Sequence, residues 1–160
     1  MTDKNDILNM DLESGRVVIR LRPDLAPLAA ERMRTLAAEG FYDNTPFHRV
    51  IEGFMAQGGD PTGTGTSGSK LPDLKAEFTR AAKFERGTIG MARTMNPDSA
   101  NSQFFIMFEP SPHLDGQYTI VGEVIEGMDL VDKIKRGSGA GGTVKDPDKI
   151  LKMRPASAEA

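Results

Sequence analysis

The sequence contains no cysteine. That absence excludes disulfides, thiolate nucleophiles, cysteine-ligated zinc and iron–sulfur clusters. There is no tryptophan, and there are only two histidines, His48 and His113. They lie far apart in the chain and neither begins an H-E-x-x-H pattern, so no metal site is expected. No G-x-S-x-G elbow frames a serine nucleophile. No apolar run is long enough for a signal-peptide core or a membrane span, and the opening residues Met1 to Asp6 are polar. The expectation is a cytoplasmic protein without a membrane partner. Neither sign of charge dominates, with 20 Lys and Arg against 23 Asp and Glu and a net charge of −3. That balance predicts no nucleic-acid partner.

What is present is glycine and proline, 17 and 10 in 160 residues, above the roughly 12% they supply on average. Frequent turns favour short strands over long helices. The length suits a single domain over residues 1–160, with 155–160 read as a frayed tail. No repeat or linker divides it, and monomer is the default. Leu8, Met10 and Leu12 alternate with polar residues, as do Val17, Ile19 and Leu21 after the Ser14-Gly15 turn, which predicts a hairpin. Further strands are expected at 47–51, 54–57, 87–92, 104–108, 118–125 and 149–153. Pro27 suits a helix start, Ala29, Ala30, Met33, Leu36 and Ala37 form one apolar stripe, and Gly40 suits its stop. A second helix is expected at 128–135. About eight short strands with two helices suggest a closed barrel or a compact sandwich.

Residues 63–68, Gly-Thr-Gly-Thr-Ser-Gly, match G-x-G-x-x-G on paper. A dinucleotide loop needs a strand before it and a helix after it. Here Asp60-Pro61 precede it, and Pro72 sits where a first helical turn would form. The order Ser69-Lys70 reverses that of a phosphate-binding P-loop. A plain loop is the better reading.

Three segments are richer. In residues 47–60, FHRVIEGFMAQGGD, a strand places His48 and Arg49 on opposite faces, and Met55 and Gln57 on one face. Gly58-Gly59 suggests a close backbone approach or a bulge. In residues 100–106, ANSQFFI, Gln103 and Phe105 share a face, with Phe104 and Ile106 opposite, which suits an apolar pocket with a few polar groups. In residues 112–122, PHLDGQYTIVG, Asp115-Gly116 marks a turn before a strand. Taken singly, each also fits an ordinary two-sided strand or loop.

Together with Gly87 to Ala92, these segments resemble the cyclophilin-type peptidyl-prolyl cis-trans isomerases, in order and spacing, from about Ile7 to Met153. The short 63–69 loop resembles that of bacterial-type members. The resemblance implies a mainly β fold, a closed eight-stranded antiparallel β-barrel capped by two α-helices, and no cofactor or metal. It implies acceleration of Xaa–Pro rotation in proline-containing peptides and unfolded or folding proteins. It places the catalytic arginine on Arg49 and the proline pocket on Phe54, Met55, Phe105 and Leu114. Polar substrate contacts fall on Gln57, Gln103 and the backbone of Ala92, while His48 is carried over as core. Four departures stand out. His113 replaces a common tryptophan, which implies poor cyclosporin binding. Tyr118 replaces a common histidine at the pocket edge. Arg93 replaces a common asparagine that meets substrate backbone. Asn101 and Ser67 replace glycines, with only local effects expected. The departures at His113, Tyr118 and Arg93 keep a second reading open, a proline-peptide binding module or chaperone with little turnover.

Overall fold

The computed structural model describes residues 6–139 and 141–159. Eight strands form one antiparallel sheet: β1 (Ile7–Leu12), β2 (Gly15–Leu21), β4 (Arg49–Ile51), β5 (Met55–Gly58), β6 (Thr88–Met91), β7 (Phe104–Met107), β8 (Ile120–Glu126) and β10 (Lys152–Pro155). Their spatial order is β10-β1-β2-β8-β6-β7-β5-β4. β3 (Thr45–Pro46) and β9 (Lys149–Ile150) form a separate two-stranded sheet. The alternation in β1 and β2 is realised as expected: Leu8, Met10, Val17 and Ile19 are fully buried, while their neighbours are half-buried or exposed.

The helices close the ends. α1 (Pro27–Ala38) buries Ala29, Ala30, Met33, Leu36 and Ala37, the predicted stripe, and packs against β10 and β8. Its first turn has no local side-chain cap. Instead Glu77 accepts from the backbone N–H groups of Leu28 at 3.1 Å and Ala29 at 2.9 Å. A carboxylate there also meets the positive end of the helix dipole. Gly40, with φ of 77°, ends the helix: Phe41 N–H reaches the Leu36 carbonyl at 3.0 Å and Gly40 N–H the Ala37 carbonyl at 3.2 Å, the double-bonded Schellman arrangement.

The structure departs from expectation in two places. The closed barrel is not seen in the hydrogen bonding. Among the described residues no ladder joins β10 to β4 in the curled, open sheet. The outer side of β4 is taken instead by Gly142, whose carbonyl accepts from Val50 N–H at 2.8 Å, and by Gly137, whose N–H donates to the Val50 carbonyl at 2.8 Å. The reason lies in the chain path. The predicted 47–51 strand is shorter because the backbone changes partner at Phe47 and His48: Phe47 N–H bonds to Asp148, and the His48 carbonyl accepts from Val144. The 149–153 strand splits likewise into β9 and β10. The second helix, α2 (Met128–Val131), is half the expected length. Beyond it Lys133 and Ile134 bond three residues back rather than four, so the turn tightens and stops. Of the 155–160 tail, residue 160 lies outside the described residues. Pro155 pairs with Leu8, and Ala156–Glu159 form a short 3-10 helix against β1 and β10.

Candidate active site

The sheet register builds the site. Val50, Ala56, Ile106 and Ile89 form one row across β4, β5, β7 and β6, and all four are fully buried against the main core. The next row, on the other face by the two-residue period of a strand, is Arg49, Gln57, Phe105 and Gly90. Met55 and Gln103 lie two residues from members of that row, on the same face. β6 and β7 are buried on both sides. Their outer face meets a second apolar cluster of Met55, Phe84, Phe105, Met107, Leu114 and Ile120.

That cluster floors a cavity of about 440 Å³ lined by Arg49, Phe54, Met55, Gln57, Ala92, Arg93, Phe105, His113, Leu114, Gln117 and Tyr118. Every residue expected from the sequence is in it except Gln103, which lies one hydrogen bond away. Phe105 sits face to face with Phe84 at 5.8 Å and edge-on to Tyr118 at 5.7 Å. Gly90 makes this possible: a Cβ there would lie 2.5 Å from Phe105 Cζ and 2.7 Å from Phe84 Cε1. His113 is exposed on the rim, 6.0 Å from the Phe54 ring.

Arg49 is held by two bonds. Its Nε donates to the Gly141 carbonyl at 3.0 Å, and its Nη1 donates to Gln57 Oε1 at 3.1 Å. Nη2 has no hydrogen-bond partner, and the guanidinium no carboxylate partner, among the described residues. Gln57 Nε2 donates to Gln103 Oε1 at 3.0 Å, and Gln103 Nε2 donates to the Ser67 carbonyl at 2.9 Å. Beside Gln103, Ser102 is fully buried and donates to the Gly59 carbonyl at 2.8 Å, while Tyr42 donates to the Ser102 carbonyl at 2.9 Å. The expected close approach at Gly58-Gly59 is present: a Cβ on Gly59 would lie 2.6 Å from the Ser102 carbonyl.

His48 is half-buried rather than core, with its ring against the Gly65 backbone. Burial pushes its pKa below the ordinary imidazole value, and the nearby Arg49 charge adds to this against the opposing pull of Asp60.

The glycine-rich loop explains itself here. Asp60, fully buried, accepts from the N–H groups of Thr62, Gly65 and Ser67 at 2.8, 2.6 and 3.2 Å. The chain's own carboxylate fills the cradle that a phosphate would need. No helix follows the loop.

This geometry is that of a known family. The family description "Cyclophilin type peptidyl-prolyl cis-trans isomerase/CLD" matches residues 7–155. The chain belongs to the cyclophilin-type peptidyl-prolyl cis-trans isomerases. A probable peptidyl-prolyl cis-trans isomerase of Brucella suis is 52% identical, over 94% of this chain and 82% of its own. A Helicobacter pylori peptidyl-prolyl cis-trans isomerase is 45% identical over 77% of this chain and 76% of its own. Among solved structures, a Hirschia baltica cyclophilin superposes with a TM-score of 0.88 at 25% identity, over 99% of this chain and 77% of that one. A Cryptosporidium parvum cyclophilin type peptidyl-prolyl cis-trans isomerase, solved in the presence of the dipeptide Ala-Pro, gives a TM-score of 0.86 at 31% identity, over 93% of this chain and 98% of that one.

Within this cyclophilin, the departures from the family pattern have definite partners. Arg93 donates to the carbonyls of Thr94 at 2.9 Å and Gln117 at 2.8 Å. Its guanidinium lies 4.4 Å from the Tyr118 ring centroid and 5.7 Å from that of Phe78, within cation–π range. It therefore ties the pocket edge at 117–118 to the 93–94 backbone. Asn101 reaches further than expected: it accepts from Ser69 and donates to the Leu71 carbonyl at 2.9 Å and to Asp73 at 3.1 Å. Sequence reading missed Phe84, Phe78, Gln117 and the Gly141 carbonyl. Gly141 is 92 positions from Arg49, and a backbone carbonyl leaves no residue-type signal.

No group of three His, Asp or Glu among the described residues could hold a metal ion. No helix among them is long and apolar enough to cross a membrane.

Proposed function

We propose that Arg49 is the transition-state donor of this isomerase and that the cavity beside it holds the prolyl ring. An amide rotates over a barrier of about 18–20 kcal/mol because rotation breaks its resonance. As the bond twists, the prolyl nitrogen becomes pyramidal and gains a lone pair that the planar amide does not offer. A donor aimed at that nitrogen stabilises the transition state and not the ground state. The observation that carries this reading is the state of the Arg49 guanidinium. It is anchored through Nε and Nη1, its Nη2 is unclaimed among the described residues, and it borders the apolar cavity. Arginine stays charged at any working pH, and the reaction consumes no proton. No cofactor or metal is required for it.

One hydrogen bond does not supply the whole acceleration. A rate gain of roughly 10⁵ corresponds to about 7 kcal/mol, and a bond to a charged group contributes about 1.5–3 kcal/mol. Phe54, Met55, Phe105 and Leu114 hold the ring while the acyl side turns, and the apolar walls strip water from the amide. Ala92 N–H is already engaged by the Gln103 carbonyl at 3.0 Å, so its carbonyl is the group offered to substrate backbone. Gln57 and Gln103 orient Arg49 and line the path of the peptide, and Arg93, Tyr118 and His113 form its rim.

The substrates under this reading are proline-containing segments of unfolded or folding proteins, met in the cytoplasm by a monomeric enzyme, with neither nucleic acid nor membrane as a partner. The exposed His113 offers less apolar surface than a tryptophan would, so cyclosporin binds weakly. The β3–β9 pair, continuous in sequence with β4 and β10, acts as the seam that closes the sheet into a barrel. The deciding experiment is a peptide isomerisation assay of wild type and Arg49→Ala. Wild-type turnover by a folded Arg49→Ala protein overturns the role given to Arg49.

A further inference from the structure

Asp60 is fully buried and outside the cavity, and the reaction makes no direct use of it. Its Oδ1 accepts from Thr62 N–H at 2.8 Å and the Thr62 hydroxyl at 2.7 Å. Its Oδ2 accepts from Gly65 and Ser67 N–H. Burial on its own would raise this carboxyl, but the donors from Thr62, Ser67 and Gly65 outweigh it and hold the group below the usual carboxylate range. Residues 61–67 contain no helix or strand, so these bonds fix where the loop lies.

The loop leads back to Arg49. Ser67 gives its N–H to Asp60 at 3.2 Å and its carbonyl accepts from Gln103 at 2.9 Å. Gln103 accepts from Gln57 at 3.0 Å, and Gln57 accepts from Arg49 at 3.1 Å. Every donor points the same way, from the guanidinium to the carboxylate. The direction is forced at both ends. A guanidinium has no acceptor, so Gln57 presents its oxygen to Arg49, and a carbonyl has no donor, so Gln103 presents its nitrogen to Ser67. A flipped amide at either glutamine would set donor against donor or acceptor against acceptor. The three bonds that run through the Gln57 and Gln103 amides reinforce one another, and Ser67 passes the constraint on to Asp60 through its backbone.

We propose that Asp60 is a positioning residue for the isomerase reaction: through Ser67, Gln103 and Gln57 it fixes the orientation of the Arg49 guanidinium. The proposal rests on the reading of Arg49 as the donor. Asp60 acts at a distance and touches no substrate. Removing its charge frees Ser67 to shift, and the shift passes through two amides to Arg49.

The test is a double-mutant cycle with Asp60→Asn and Gln103→Met, read by exchange NMR on an Xaa–Pro peptide and by the Arg49 Nε–H signal. Asp60→Asn should lower kcat about tenfold, short of the roughly 100-fold that a full ångström of misplacement costs, with KM little changed. In the Gln103→Met background, where the chain is already cut, Asp60→Asn should cost nothing further. The Arg49 Nε–H signal should move in each single variant. Thr62→Val, at an exposed residue, removes one donor from Asp60 and serves if Asp60→Asn does not fold. Its smaller loss of kcat should also vanish in the Gln103→Met background. An equal loss in both backgrounds means that Asp60 only stabilises the loop, and it overturns the proposal. So does an unmoved Arg49 signal. If Arg49→Ala keeps wild-type turnover while the Arg49 signal still follows Asp60, the chain stands and the role of Arg49 falls.

Discussion

Arg49→Lys separates charge from geometry. Arg49 spends Nε on the Gly141 carbonyl at 3.0 Å and Nη1 on Gln57 at 3.1 Å, which leaves Nη2 for the prolyl nitrogen. Lysine keeps the charge but brings a single nitrogen, which cannot hold both anchors and still donate to substrate. Loss of one charge-assisted bond costs about 1.5–3 kcal/mol. Since about 1.4 kcal/mol is tenfold in rate, kcat/KM of Arg49→Lys should fall roughly 10- to 150-fold. Arg49→Ala should fall further, because Gln57 then loses its donor as well. Both anchors are at least partly exposed, so unfolding free energy should change by less than about 1 kcal/mol. Exchange NMR on an Xaa–Pro peptide gives the rate, and thermal unfolding of the same samples gives the fold. Turnover of folded Arg49→Lys within about threefold of wild type refutes this role for Arg49, for then the fixed fork contributes nothing.

Gly90→Ala places a methyl 2.5 Å from Phe105 Cζ. Phe105 should be displaced at a cost of about 1–3 kcal/mol, and KM should rise in the peptide assay. Glu77→Ala removes the carboxylate that caps α1, and should lower stability by about 0.5–2 kcal/mol in urea unfolding. In acid, Asp43 is held low by its hydrogen bonds to Arg154, and Asp60 lies low because its donors outweigh its burial. Both folded-state values lie below the ordinary 3.8, so the stability they contribute is complete above about pH 4 and is lost as pH falls through the lowered values. Asp60→Asn should therefore lose less stability than wild type between about pH 4 and 2, measured by urea unfolding at each pH.

The glycine-rich loop shows how one local pattern acquires its meaning from tertiary structure. G-x-G-x-x-G chains present backbone N–H groups, and such groups attract an anion. Here Asp60, three residues before the first glycine, supplies that anion from within. The sequence context already argued against a nucleotide, since Pro72 bars a following helix. It did not show that the loop would be tied through Ser67 to the glutamine pair beside Arg49.

Alternation alone paired Met55 with Gln57 and Gln103 with Phe105 and set Arg49 opposite His48, because side chains in a strand follow a two-residue period. The sheet register then brought the three sets onto one face. The α1 stripe and its Gly40 stop were legible for the same kind of reason, a period of 3.6 residues and a left-handed cap. Boundaries were less so. α2 and the 47–51 strand end where the backbone finds a different partner, and partner choice is not a local property. The missing ladder between β4 and β10 among the described residues follows from the same cause.

By itself, then, the sequence determined the chemistry available: no thiol, few imidazoles, the arginines Arg49 and Arg93 among apolar and amide side chains, and periods that set side-chain faces within each strand. Tertiary structure decided what holds Arg49. The Gly141 carbonyl, the Phe84 ring beneath Phe105 and the Glu77 cap act across long stretches of chain, and the Asp60 carboxylate, bonded within its own loop, is linked to Arg49 only through Ser67, Gln103 and Gln57. Contacts of that kind depend on which segments the fold brings within 3 Å, and no periodicity or motif in the linear chain encodes that distance.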